Sequence, residues 1–141
     1  MTNLNPYLTF DGNCRESFEF YRSVFGGEFT DFNTFGDGPP EMEVKEGDRD
    51  KVMHVSLPVG STVLMGSDSA EGYGLPPTVG TNFSISIAGD DTAEADRLFA
   101  ALSDSGSVGM PMQDTFWNAY FGMCRDRFGI NWMINVDKGS G

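Results

Sequence analysis

Two stretches of the chain carry the same alternation of apolar and polar positions. Residues 8–24 (LTFDGNCRESFEFYRSV) align without a gap on residues 86–102 (SIAGDDTAEADRLFAAL). Each reads as a short alternating strand, a polar turn and an amphipathic helix. At that offset Asn13 falls on Asp91, Glu16 on Glu94, Phe20 on Leu98, Tyr21 on Phe99 and Val24 on Leu102. Asn13 and Asp91 are N-cap residue types, each with Glu three places on, the pattern of a capping box. Apolar or small residues at i, i+3, i+4 and i+7 (Ser17, Phe20, Tyr21, Val24; Ala95, Leu98, Phe99, Leu102) predict a helix stripe buried against a sheet. In the first strands, alternation aims Leu8 and Phe10, and Ile85 and Ile87, at the helices. Asn5, Tyr7 and Thr9, and Asn82, Ser84 and Ser86, then take the other face.

The remainder of each copy follows one plan. Gly26-Gly27 stops the first helix and Glu28 to Phe35 reads as a strand; Gly106 follows the second helix and Ser107 to Met112 reads as a strand. Each copy closes with a strand pair turning at a glycine, Gly60 in VMHVSLPVGSTVLMGSD and Gly129 in AYFGMCRDRFGINWMINVD. The DRF run (Asp126, Arg127, Phe128) before Gly129 reads as an exposed charge pair serving that turn. The chain is therefore expected to be α+β, two βαβββ modules in tandem within a single domain 1–141. Module one spans about 4–68, a linker about 69–80, and module two about 81–138. Neither module is large enough to bury a core comfortably by itself.

Composition narrows the class. A chain of 141 residues with 39% hydrophobic content suits one ordinary domain. It has no run of about 18 apolar residues, and Met1-Thr-Asn-Leu-Asn lacks the start of a signal peptide. These features predict a cytoplasmic protein without a membrane partner. Cys14 and Cys124 suit that compartment as free thiols, and no CxxC pattern is present. Cys14 beside the helix cap reads as a small helix-start residue rather than a reactive thiol. The formal net charge is −12 and the nine basic residues are scattered, so a nucleic-acid partner is excluded on average electrostatics. The acidic excess concentrates at 36–50, read as an exposed loop in module one, and at 66–81, read as the connection between modules.

Three segments carry a family resemblance: PYLTFDGNCRESFEFY, VMHVSL and DTFWNAYFGMCRDRFGINWMIN. With them the chain resembles the PhnB-like branch of the vicinal oxygen chelate superfamily, which includes glyoxalase I, extradiol dioxygenases and the bleomycin and fosfomycin resistance proteins. The resemblance covers nearly the whole chain. It implies a single glyoxalase-like domain in which each module is an open curved mixed sheet with a helix on its outer face, forming a cleft. It also implies a homodimer. Members of this branch are often labelled ubiquinone-pathway methyltransferases, but no Gly-rich strand-to-helix turn of a nucleotide-like cofactor site is present.

The superfamily's chemistry rests on a divalent metal held at four positions, on the first and last strand of each module, by His, Gln or Glu. Carried over residue by residue, those positions read Asn5 (to within a residue), Leu64 or Met65, Asn82 or a neighbouring Ser, and Asn135. Divalent metals are normally anchored by carboxylate, imidazole or thiolate. The expectation is therefore no metal and no cofactor, with metal-assisted chemistry losing its Lewis acid.

What remains for the cleft is aromatic and amide-rich. Tyr7, Phe116, Trp117, Tyr120, Trp132 and Asn135 are candidates for one ligand-binding surface, with Trp117 backed because the FWN turn makes a core role hard to arrange. His54, the single histidine, shares its strand face with Val52 and Ser56, while Met53, Val55 and Leu57 make the other; it is thereby aimed at the cleft. Asp114 is the carboxylate expected to meet it, making His54 and Asp114 the candidate catalytic pair. Two functions stay open. One is metal-free binding of a small planar or hydrophobic ligand. The other is an enzyme (lyase, isomerase or dioxygenase) using His54 and Asp114, or a metal at displaced ligands.

Overall fold

The first strand, β1 (Tyr7–Phe10), alternates as its residue pattern requires: Leu8 and Phe10 are buried and Tyr7 and Thr9 are exposed. A computed structural model describes residues 2–138 of the chain; the outermost bounds of the expected 1–141 domain lie outside the described residues. The chain divides into two compact units, Met1–Thr78 and Val79–Gly141. The first contains β1, helix α1 (Cys14–Phe25), β2 (Asp31–Thr34), β3 (Val52–Val59) and β4 (Thr62–Asp68). The second contains β5 (Ile85–Gly89), helix α2 (Thr92–Ser103), β6 (Ser107–Asp114), β7 (Ala119–Arg125) and β8 (Asn131–Asp137). Each unit is one βαβββ module, and the fold is α+β.

Each unit builds a four-stranded mixed sheet in the order first, fourth, third, second. The first strand runs parallel to the fourth and the other pairings are antiparallel. The closing hairpins turn where glycines were expected, with Gly60 at φ +59° and Gly129 at φ +92°, a backbone region that favours a residue without Cβ. Around 36–50 the chain makes two short 3₁₀ turns, Phe35–Asp37 and Glu46–Asp48. No described helix is long and apolar enough to cross a membrane.

The core of the first unit lies between α1 and one face of its sheet, but the helix stripe differs from the predicted one. Cys14, Ser17, Phe18, Tyr21 and Val24 are buried, whereas Phe20 is only half-buried. The reason is on β4. Gly66 has no side chain, and Phe18 fills that place: a Cβ on Gly66 would stand 2.6 Å from the Phe18 ring and 2.8 Å from the Leu8 carbonyl oxygen. Phe18 therefore seats on the sheet, with edge contacts to Phe10 and Tyr21 at 6.3 and 5.5 Å between ring centres. In the second unit Ala95, Leu98 and Leu102 are buried as the stripe predicts, with Phe99 at its half-buried edge.

The helix starts also part from symmetry. Asp91 caps α2, its carboxylate accepting from the Ala93 N–H at 3.1 Å. Asn13 makes no side-chain cap bond. Instead the buried Asp68 carboxylate, at the end of β4, accepts from the N–H groups of Gly12 and Cys14 on Oδ1 and of Val52 on Oδ2, each at 2.9 Å. One carboxylate thus ties a helix N-terminus, where negative charge is favoured, to the start of β3.

Candidate functional site

Strand alternation divides each sheet into a helix-facing side and a helix-free side, and the pairing register shows which candidates share the latter. In the first unit Tyr7 lies opposite Met65, Met65 opposite Ser56, and Ser56 opposite Asp31, one row across all four strands. His54 lies two residues from Ser56 on the same side, opposite Asn33. Its Nε2 is 2.8 Å from Ser56 Oγ and its Nδ1 is 3.5 Å from the Tyr7 hydroxyl. The Tyr7 and His54 rings lie 5.9 Å apart, tilted by 33°. Val52, expected on the same face as His54, is fully buried in the core. The pairing irregularity between Asn33 and Thr34, which sets Thr34 against Val52 rather than Met53, breaks the simple alternation there.

In the second unit one row of the helix-free side reads Ala88, Asn135, Phe121, Gln113, and the next Ser86, Met133, Met123, Met110. Trp117, in the turn between β6 and β7, is 52% exposed. Its ring meets Phe121 edge-on at 5.9 Å and Phe116 at 4.9 Å. That turn is closed by Thr115, whose N–H donates to the Ala119 carbonyl at 2.9 Å, with Asn118 in the left-handed region at φ +63°. The arrangement holds Trp117 against the sheet without a helix over it, and Asn135 places one amide among apolar neighbours.

Three candidates are placed differently from the sequence reading. Trp132 is 2% exposed and stands opposite Cys124 and Ile85, on the helix-facing side. Its indole N–H donates to Asp126 Oδ2 at 2.8 Å. Asp126 is buried, not an exposed turn charge; its Oδ1 also accepts from the Phe128 and Ile130 N–H groups, at 2.8 and 3.1 Å. Tyr120 stands opposite Val136, also on the helix side, and its hydroxyl donates to Asp96 of α2 at 2.7 Å. That hydrogen bond holds the phenol proton and pushes its pKa upward. Asp114 is opposite Tyr120, exposed, and ion-paired with Lys138; its contacts give no support to a partnership with His54. For the two aromatics the register sets the face: Trp132 shares the helix side with Ile134, and Tyr120, opposite Val136, takes the side away from Phe121.

The four positions the superfamily uses for metal resolve as follows. Asn5 precedes β1 and accepts from the Val63 N–H at 3.1 Å. Leu64 is buried on the helix side, leaving Met65 on the helix-free side. Ser86 lies opposite Met133, and Asn135 opposite Ala88. The donors offered are amide, thioether and hydroxyl, which do not fit a divalent cation of that kind. Among the described residues no group of three or more His, Cys, Asp or Glu could hold a metal ion. A groove of about 490 Å³ lined by Glu43, Val44, Lys45, Glu71, Gly72 and Tyr73 lies on the loops of the first unit. Its polar groups pair with one another, Lys45 with Glu71 at 2.6 Å and the Tyr73 hydroxyl with the Glu43 carbonyl at 2.7 Å.

Comparison with known proteins agrees with the fold. The chain is 29% identical over 140 residues to protein YjdN of Escherichia coli (strain K12), covering 96% of this chain and 95% of that protein. Among solved structures, protein PA1353 from Pseudomonas aeruginosa is 46% identical, with a TM-score of 0.86 over 97% of this chain and 98% of that one. A PhnB protein from Bacillus cereus shares the fold at 22% identity and a TM-score of 0.75, over 96% and 99% of the two chains. Residues 3–134 match the family model itself, and the chain belongs to the Glyoxalase/Bleomycin resistance protein/Dioxygenase superfamily.

Proposed function

We propose that this protein binds a small planar or apolar molecule on the helix-free sides of its sheets, without a resident metal. The observation that carries the reading is Trp117, half-exposed and held edge-on against Phe121. An aromatic wall with adaptable methionines beside it suits flat apolar ligands, and a few polar groups such as Asn135 give direction. The donor chemistry at the family's metal positions supports the metal-free part. A thermal-shift screen of planar metabolites, run with and without chelator, tests it: binders raise the melting temperature equally in both. Trp117→Ala should abolish those shifts while changing the free protein's stability by less than about 1 kcal/mol, because the ring lies outside the core. Loss of folding in Trp117→Ala would return this residue to a structural role.

A second reading, an enzyme working by acid–base chemistry, is favoured by one observation, the contact of His54 with both Ser56 and Tyr7. Turnover of a bound compound that disappears in His54→Gln would select it. Both readings extend to a homodimer, as the exposed strand edges of each sheet need covering. Light scattering that gives the mass of one chain contradicts that extension.

A further inference from the structure

Tyr7, His54 and Ser56 come from two strands that are not neighbours, β1 and β3, yet their polar atoms form one chain. Ser56 is 6% exposed, His54 is half-buried and Tyr7 is 48% exposed. The array thus runs from an interior hydroxyl, through an imidazole, to a phenol open to solvent. The two nitrogens of an imidazole differ in role once one of them is committed. Nε2 engages Ser56 Oγ and Nδ1 faces the Tyr7 hydroxyl; in the tautomer that carries its proton on Nε2, Nδ1 is the acceptor. The 3.5 Å separation there is loose, as such contacts often are before a ligand tightens them.

The charges around the array decide what it can receive. Facing His54 and Ser56 are Tyr7 from β1, Asn33 and Asp31 from β2, and Met65 from β4. The charged group among them is Asp31, and the chain as a whole carries a formal −12. An anionic ligand is repelled by both. A neutral molecule with a weakly acidic hydroxyl is not repelled, and it can ionise after docking if the array takes its proton.

From this geometry we infer that Tyr7, His54 and Ser56 form a proton-accepting site for the ionisable hydroxyl of a small planar molecule, a phenol or an enol. The inference rests on the reading that the helix-free side binds such molecules. In the transfer, the ligand O–H bond breaks as its proton passes to the Tyr7 oxygen, and the Tyr7 proton passes to His54 Nδ1. The product is a ligand oxyanion accepting from a neutral Tyr7 beside an imidazolium, with no co-reactant needed. Ser56 is a positioning residue, since its hydroxyl engages Nε2 and keeps Nδ1 turned to Tyr7. The imidazolium formed offsets the charge of Asp31.

The probe is para-nitrophenol, yellow only as its phenolate, with para-nitroanisole as a planar control that has no proton to give. At a pH where the free phenol is mostly neutral, both compounds are expected to raise the melting temperature, and bound nitrophenol is expected to turn yellow. The nitrogen NMR signals of the lone histidine should move to imidazolium positions with nitrophenol and stay in place with nitroanisole. His54→Gln and Tyr7→Phe should each lose the yellow band, and Ser56→Ala should weaken it without abolishing it. If both compounds bind and the phenol stays colourless, the proton-accepting site is overturned while the binding face stands. Yellow colour that survives in His54→Gln overturns it as well. If neither compound binds, this inference and the binding reading both fall.

Discussion

The indole N–H of Trp132 donates to the buried carboxylate of Asp126 at 2.8 Å. The bond joins the turn after β7 to β8 and keeps the tryptophan on the helix side of its sheet. The second oxygen of Asp126 already closes the hairpin through Phe128 and Ile130, so the same group organises both turn and core. Trp132→Phe should therefore cost about 2 kcal/mol of stability through the lost indole–carboxylate hydrogen bond. Ligand binding on the opposite side of the sheet should be unchanged. Chemical denaturation paired with the thermal-shift assay checks both halves.

Asp68 plays the comparable part in the first unit with three backbone donors. Asp68→Ala leaves the N–H groups of Gly12, Cys14 and Val52 without their acceptor. The expected loss is about 3–5 kcal/mol, read from the denaturant midpoint. Asn13→Ala should cost well under 1 kcal/mol, because Asn13 makes no cap bond.

The two phenylalanines of α1 give a third test. Phe18→Ala empties the place over Gly66 and should cost about 3–5 kcal/mol, whereas Phe20→Ala, at the half-buried edge, should cost about 1 kcal/mol. The reverse order would restore the predicted stripe.

Both thiols are buried. Burial, with the Asp126 charge second, pushes Cys124 from an ordinary 9.0 up to about 11; burial, with Asp68 second, also pushes Cys14 upward. A raised folded-state pKa means that stability from the neutral thiol is fully present below about 9 and is lost as pH rises toward 11. Wild-type stability should fall across that window, and Cys124→Ala should fall less steeply. Neither thiol should react with a disulfide reagent in the folded protein near neutrality.

Strand and helix order was legible because alternation and the 3.6-residue period repeat in both halves, and because Gly60 and Gly129 mark turns that need positive φ. Side-chain placement was legible where it followed from that alternation, as with Leu8, Tyr7 and His54. It was not legible where a distant strand decides. Phe18 is chosen over Phe20 by a glycine 48 positions away, and Asn13 is relieved of capping by Asp68. In the candidate site, residue type alone points Trp132 and Tyr120 to a ligand wall, whereas their register places them with Ile134 and Val136. Phe121 and the methionines at 110, 123 and 133 were passed over; their signal was the same alternation, read across β6, β7 and β8.

The proposed binding is metal-free, because Met65, Ser86, Asn135 and Asn5, whose side-chain oxygen already accepts from Val63, offer only neutral donors where the superfamily holds a divalent metal. The most direct measurement is elemental analysis of protein purified without chelator, followed by ligand-induced thermal shift before and after chelator. Far less than one transition metal per chain is expected, with thermal shifts that chelator leaves unchanged. Close to one Ni, Zn, Mn or Fe per chain, removed by chelator together with binding, would contradict it.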